Sequence, residues 1–238
     1  MPAQPTIVLV HGAFADASGW GGVITRLLAD VYTVYAAPNP LRGIESDAAY
    51  LEDFVGTIEG PVVLVAHSYG GAVISNVHAD NVVAHVYVAA FALDEGESVQ
   101  QALEMAGDEV DFTQVIVVRP YPGAPEGEGD GYIQPEIFHQ TFCQDLTPEQ
   151  GFVMAASQRP AALSSLATPS GPPSWRDVPR WYLVATDDHL IPPAAARAMA
   201  ARAGATTVEV DSSHVAMISH PDEVAQLIRD AVAGVDSA

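Results

Sequence analysis

The sequence contains no lysine: all nine basic residues are arginine, set against 30 acidic residues for a formal charge of −21. That absence removes Schiff-base chemistry, a phosphate-loop lysine and an ammonium acid from the mechanisms open to the chain. A surface of this sign repels nucleic acid and anionic membranes. No cluster of arginines is set aside for a strongly anionic substrate, and the bias itself fits a high-GC or salt-adapted source.

Cysteine is nearly missing as well. Cys143 stands alone, so no internal disulfide can form, which suits a reducing compartment. Long hydrophobic runs are lacking: the longest are of strand length, far short of the roughly 20 residues that a membrane helix needs. The opening MPAQPTIVLVHG has no basic region followed by an apolar stretch and a cleavage site. The expectation is a cytoplasmic protein without nucleic-acid or membrane partners, its oligomeric state (monomer or homodimer) left open.

What is present suits one folded domain with a large insertion. At 238 residues, 49% of them apolar and 16% charged, the chain can bury a substantial core. Short apolar runs alternate with amphipathic ones. TIVLVHG (6–12) reads as a buried strand, and VYTVYAAP (31–38), PVVLVAH (61–67) and VAHVYVAA (83–90) read as further strands. Residues 19–30, 46–60 and the stretch after Ser68 read as the intervening helices. Strands apolar throughout, separated by helices, predict an α/β fold with a mostly parallel sheet covered on both faces. Alternation stops after Leu93 and resumes near Trp175, with strands at RWYLVATDD and TTVEVDSS and helices at PPAAARAMAARAG and PDEVAQLIRDAVAG. The boundaries are therefore a core of 1–93 and 176–238 and an insertion of 94–175. Within the insertion, Ser98–Met105, Ile137–Cys143 and Pro148–Ser157 are helical candidates, and Tyr121–Pro135 is a surface loop rich in proline, glycine and acid.

The stretch PVVLVAHSYGGAVISNV carries the chemistry. A strand leads into Ala66-His67-Ser68-Tyr69-Gly70, and a helix leaves through Gly70 and Gly71. Small residues around a serine at a strand-to-helix turn form a nucleophile elbow, in which close backbone packing lifts the hydroxyl out of the sheet's carboxyl edge. A serine needs a base, and the elbow's partners follow in the order acid, then histidine. The penultimate strand ends at Asp187 and Asp188, and the last ends at His214. Asp94, just after the fourth strand, is a further candidate acid. The loop after the first strand, VHGAF, supplies a fourth element. Two preorganised donors are needed for a tetrahedral oxyanion, and the backbone N–H groups of Ala13 and Tyr69 are the candidates. His11 and His67 flank this site. The spacing of His78, His85, His139, His189 and His220 suggests no metal site, and no metal or cofactor is expected.

The segments VLVHGAFADASGW, LVAHSYGGAV, TDDHLIPP and SSHVAMISHP resemble the α/β-hydrolases, in particular the compact branch with plant methylesterases, hydroxynitrile lyases and bacterial carboxylesterases. The resemblance covers roughly residues 5–93 and 176–235, and residues 94–175 stand where the family has a helical cap. It implies Ser68 as nucleophile, His214 as base and, from the spacing of Asp188-His-Leu-Ile-Pro, Asp188 as the acid. Hydroxynitrile lyases of this branch carry a lysine after the catalytic histidine and a threonine after the first-strand histidine. Val215 and Gly12 stand in those places here, which disfavours cyanohydrin cleavage. The expected activity is hydrolysis of a small, largely apolar ester. Its rivals are a receptor or carrier on the same fold and a cofactor-free lyase or perhydrolase. The insertion's Met105, Phe112, Tyr121, Tyr132, Phe138, Phe142, Phe152, Met154 and Trp175 are candidates for either a substrate pocket or the insertion's own core.

Overall fold

In the computed structural model, which describes residues 4–105 and 114–235, the apolar runs form strands and the amphipathic runs form helices. The first part runs β1 (Thr6–Val10), α1 (Gly21–Ala29), β2 (Val34–Ala37), α2 (Ile44–Gly56), β3 (Val62–Ser68), α3 (Tyr69–Ile74) and β4 (Val82–Ala90). The last part runs β8 (Arg180–Ala185), α8 (Pro193–Ala203), β9 (Thr206–Val210), α9 (Ala216–Ser219) and α10 (Pro221–Val235). These six strands make one sheet in the order β2-β1-β3-β4-β8-β9, with every pairing parallel. β1 and β3 are buried along their whole length, which is why their sequences are unbroken apolar runs instead of alternating ones.

This order fixes where a site can form. From β1 the chain moves outward to β2, then returns to the other side of β1 as β3 and continues to β4. Neighbouring strands that lead away in opposite directions leave a crevice at their carboxyl ends. The residues just past β1 and β3 are Gly12, Ala13, Ser68 and Tyr69.

The segment between β4 and β8 adds α4 (Val99–Glu104), β5 (Ile116–Arg119), β6 (Asp130–Ile133), α5 (Pro135–Phe142), α6 (Pro148–Ser157), β7 (Ala161–Ala162) and α7 (Ser164–Ala167). The three helical candidates stand as α4, α5 and α6. Two start with capping boxes that the sequence spells out, Ser98 with Gln101 and Thr147 with Gln150. The small antiparallel sheet β5-β6-β7 is a feature that composition concealed. Its middle strand lies inside the stretch read as a surface loop. Gly131 accepts close contact with Ile116 and Leu163 there, and Ile133 is fully buried.

Candidate active site

Ser68 is both the last residue of β3 and the cap of α3, so the chain reverses direction with no loop between them. Its backbone pays for that with φ 53° and ψ −126°, a conformation costing a non-glycine residue on the order of 1–3 kcal/mol. The turn is tight because its neighbours press on it. A β-carbon at Gly70 would lie 2.8 Å from the Val10 carbonyl oxygen, and one at Gly71 would lie 2.6 Å from that of Phe91. A β-carbon at Gly12 would come within 2.6 Å of Ser68 Cβ. The loop after β1 is thus packed directly onto the serine.

The loops after β8 and β9 bring the other two residues together. His214 Nδ1 lies 2.7 Å from Asp188 Oδ2, and both side chains are essentially buried. The second oxygen of Asp188 accepts the N–H groups of Leu190 at 2.8 Å and Ile191 at 2.9 Å. A carboxylate held this way keeps the imidazole proton on Nδ1 and leaves Nε2 as a lone-pair acceptor. Asp187 points elsewhere: its side chain is exposed, accepts from Gln144 at 3.2 Å and faces His189 at 3.5 Å. Asp94 pairs with Arg176 near the surface. Of the three carboxylates left open by the sequence, Asp188 is the one that meets the histidine.

His214 sits over the elbow through His67, the neighbour of Ser68. The His67 Nε2–H donates to the His214 carbonyl oxygen at 2.9 Å, and the two rings lie 4.6 Å apart. Phe142 of α5 packs its ring 5.0 Å from that of His214 on another side. His214 Nε2 is buried and has no hydrogen-bond partner among the described residues. It therefore forms no hydrogen bond with Ser68 Oγ in this arrangement, as is common before substrate tightens a site. Burial first, then the adjacent His214, holds the His67 pKa well below the usual histidine range. Burial likewise lowers His11, whose Nδ1 bonds to the Gly12 carbonyl at 2.9 Å and whose Nε2 accepts the Asn39 N–H at 3.3 Å. Burial thus disfavours the charged form of both flanking histidines.

Ala13 follows Gly12 at the mouth of the crevice and is buried. Its N–H has no acceptor among the described residues, whereas the next N–H, of Phe14, donates to Arg159 O at 2.9 Å. Tyr69 opens α3, and a first helical residue has no carbonyl four positions back in the helix to accept its N–H. Phe142, one of the insertion aromatics that the sequence offered for a pocket or for the insertion's core, packs against His214. Sequence reasoning missed Asp47, which accepts the Tyr69 hydroxyl at 2.9 Å and comes from another element that no local pattern marks.

A cavity of about 400 Å³ opens beside this constellation without touching Ser68 or His214. Phe14, Leu146, Val153, Met154, Met217 and Ile218 give it apolar walls, and among the described residues Asp16 and Glu149 give it its charges. Of the aromatic and methionine candidates in the insertion, Met154 lines this cavity. Phe138 and Phe142 are fully buried core, and Trp175 donates its indole N–H to Leu93 O at 2.9 Å. Phe152 and Met105 are exposed, Tyr121 lies under Arg42, Tyr132 lies under Arg119, and Phe112 falls outside the described residues. Among the described residues there is no group of three metal-ligating side chains, and no helix is long and apolar enough to cross a membrane.

A model of the α/β hydrolase family matches residues 7–227. The chain belongs to that family. A pyrethroid hydrolase of Sphingobium wenxiniae is 26% identical over 260 residues, covering 94% of this chain and 86% of that one. The crystal structure of polyneuridine aldehyde esterase superposes with a TM-score of 0.81 at 22% identity, over 96% of this chain and 99% of the other. A methylesterase from Arabidopsis superposes with a TM-score of 0.78 at 18% identity, over 97% and 99% of the two chains. These likenesses agree with the branch of α/β hydrolases that the sequence motifs resemble, and with the parallel sheet expected from alternation.

Proposed function

We propose that this α/β hydrolase is a serine esterase that cleaves a small, largely apolar carboxylic ester through Ser68, His214 and Asp188. The observation that carries the reading is the buried Asp188–His214 pair at 2.7 Å, with the opposite imidazole nitrogen unpaired and the ring seated against the residue before Ser68. Ser68 Oγ attacks the ester carbonyl carbon while its proton passes to His214 Nε2, and Asp188 steadies the imidazolium. The oxyanion forms between the N–H groups of Ala13 and Tyr69, donors worth about 3 kcal/mol each in such sites. Collapse expels the alkoxide, which takes the proton from His214 and leaves as the alcohol. Water then gives a proton to His214 and attacks the acyl-enzyme, releasing the acid and restoring Ser68. Asp16 and Glu149, the charges that the described residues bring to the neighbouring cavity, agree with a neutral apolar substrate and discriminate against an anionic one.

Support also comes from the relatives, whose names describe hydrolases and esterases. Residues 94–175 act in this reading as the cap over a separate core of 1–93 and 176–238. The reaction needs no metal or cofactor, and the lone buried Cys143 fits the cytoplasm. Cyanohydrin cleavage is further disfavoured because Gly12 has no room for a side chain such as threonine. The test is turnover of p-nitrophenyl acetate and butyrate by wild type and Ser68→Ala. The variant is expected to lose several orders of magnitude, on the order of 10⁴ or more. Equal rates in the two proteins would rule the mechanism out.

A further inference from the structure

Tyr69 follows the elbow serine directly, and the side-chain anchor before it is His67, tied to the His214 carbonyl. Tyr69 is flanked by the strained Ser68 and by Gly70 and Gly71, so within residues 68–71 its phenol is the one long side chain able to hold this peptide from the side. The ring is buried, and its hydroxyl donates to Asp47 Oδ2 at 2.9 Å. Burial first, then the charge of Asp47, pushes the phenol's pKa upward, so the proton stays on Tyr69 and the hydrogen bond runs to the carboxylate.

Asp47 is itself well fixed. It lies in the first turn of α2, is 1% exposed, and accepts the Arg42 N–H at 3.1 Å and the Gly43 N–H at 3.3 Å. Among the described residues no arginine pairs with it. A buried carboxylate without a counter-ion is costly unless hydrogen-bonded, and an apolar residue would fill the same space at less cost to the fold. Two of its donors come from its own loop, and Tyr69 is the donor from across the structure. That loop is held in turn: Leu41 O accepts the Ala162 N–H at 3.0 Å, and Arg42 Nη1 pairs with Asp130 at 2.7 Å.

We infer that Asp47 is a positioning residue for the oxyanion site: by holding the Tyr69 hydroxyl it fixes the orientation of the Tyr69 backbone N–H. The inference rests on the esterase reading and adds to it a residue that never touches substrate. Its effect belongs to the transition state, where the donor must meet a developing oxyanion, and not to ground-state binding.

The experiment compares wild type, Ser68→Ala, Tyr69→Phe and Asp47→Asn as purified full chains. It measures kcat and KM for p-nitrophenyl butyrate and the inhibition constant of a trifluoromethyl ketone, to which Ser68 Oγ adds to form a tetrahedral oxyanion. Tyr69→Phe keeps the ring and removes only the hydroxyl. It is expected to lower kcat about 10- to 100-fold with KM within about twofold, and to weaken the ketone by a matching factor. Asp47→Asn is expected to act in the same direction. A residue that served only the fold would lower the thermal midpoint without separating kcat from KM or weakening the ketone in proportion. Unchanged kcat and ketone affinity in Tyr69→Phe, with Ser68→Ala inactive, would overturn this inference and leave the esterase reading standing. A wild type with no Ser68-dependent turnover would overturn both. If Asp47→Asn fails to fold, Tyr69→Phe decides alone.

Discussion

Replacing Asp188 by asparagine changes one atom's chemistry while keeping the side chain's shape. The asparagine Oδ1 can still accept from Leu190 and Ile191, which donate at 2.8 and 2.9 Å. Its NH₂ then occupies the place of Oδ2, 2.7 Å from His214 Nδ1, and a donor facing that nitrogen requires a lone pair there. The imidazole proton moves to Nε2, which can no longer take the Ser68 proton. Inverting the tautomer in such a triad costs about 10⁴ in kcat. Stability should suffer far less, because one charge-assisted hydrogen bond becomes a neutral one, a loss of about 1–2 kcal/mol. For a chain of this size each kcal/mol lowers Tm by about 2–4 °C. Initial rates on p-nitrophenyl acetate, with Tm from circular dichroism, separate the two effects. Asp187→Asn and Asp94→Asn, whose side chains lie toward solvent, should keep near wild-type rates. An Asp188→Asn protein within tenfold of wild type, or a collapse in rate for Asp187→Asn instead, would refute the assignment.

Gly12→Ala would force a β-carbon to within 2.6 Å of Ser68 Cβ, so overpacking should cost about 1–3 kcal/mol in urea unfolding and turnover should fall with the displaced Ala13 N–H. Met154→Trp should fill part of the cavity between α6 and the loop after β1. It should lower kcat/KM for long-chain or aromatic esters while leaving p-nitrophenyl acetate nearly unaffected, and equal effects on both would show that the cavity does not receive substrate. His85 is fully buried, and burial holds its pKa down to about 3, whereas in the unfolded chain it titrates near the ordinary histidine value of 6.5. Between those values the unfolded state binds the extra proton, so its contribution to stability is present near neutrality and is lost as the pH falls below about 6.5. His85→Leu should therefore flatten the loss of stability between pH 7 and pH 5 by about 2 kcal/mol, measured by urea midpoints at the two pH values.

The parallel sheet was legible because its central strands are buried on both faces. Ile7 to Val10 and Val62 to Ala66 can only be unbroken apolar runs in such a place, and the helices between them carry their own stop signals. The closing Gly204, left-handed at φ 63°, ends α8 where the sequence ends it. The elbow was legible for a related reason. Glycine at 70 and 71 records backbone contacts with β1 and with the strand end at Phe91 that tolerate no side chain. Strand ends in the required order then narrowed the partners to a few residues. Residue type and strand position alone left Asp187 and Asp188 side by side; the family spacing favoured Asp188, and the opposite orientations of the two side chains agree with it.

The insertion was less legible. Its small sheet pairs Asp130–Ile133 with residues 116–119 behind and Asp130 and Gly131 with Ala162 and Ala161 ahead, and the proline, glycine and acid around it carry the signature of a loop. Long-range tertiary partners decide that pairing, and local propensity says nothing about them. The same applies to Phe142 against His214 and to Asp47 beneath Tyr69: each is an ordinary helix residue until the fold puts it beside the site.

Intact-mass and peptide analysis after treatment with a fluorophosphonate tests the central claim most directly, because the probe reacts with an activated serine and needs no knowledge of the substrate. One adduct per chain is expected, located on Ser68, absent in Ser68→Ala and strongly slowed in His214→Ala. An unlabelled wild type, or labelling at Ser68 that proceeds equally fast without His214, would contradict the account and favour a receptor or carrier on the same fold.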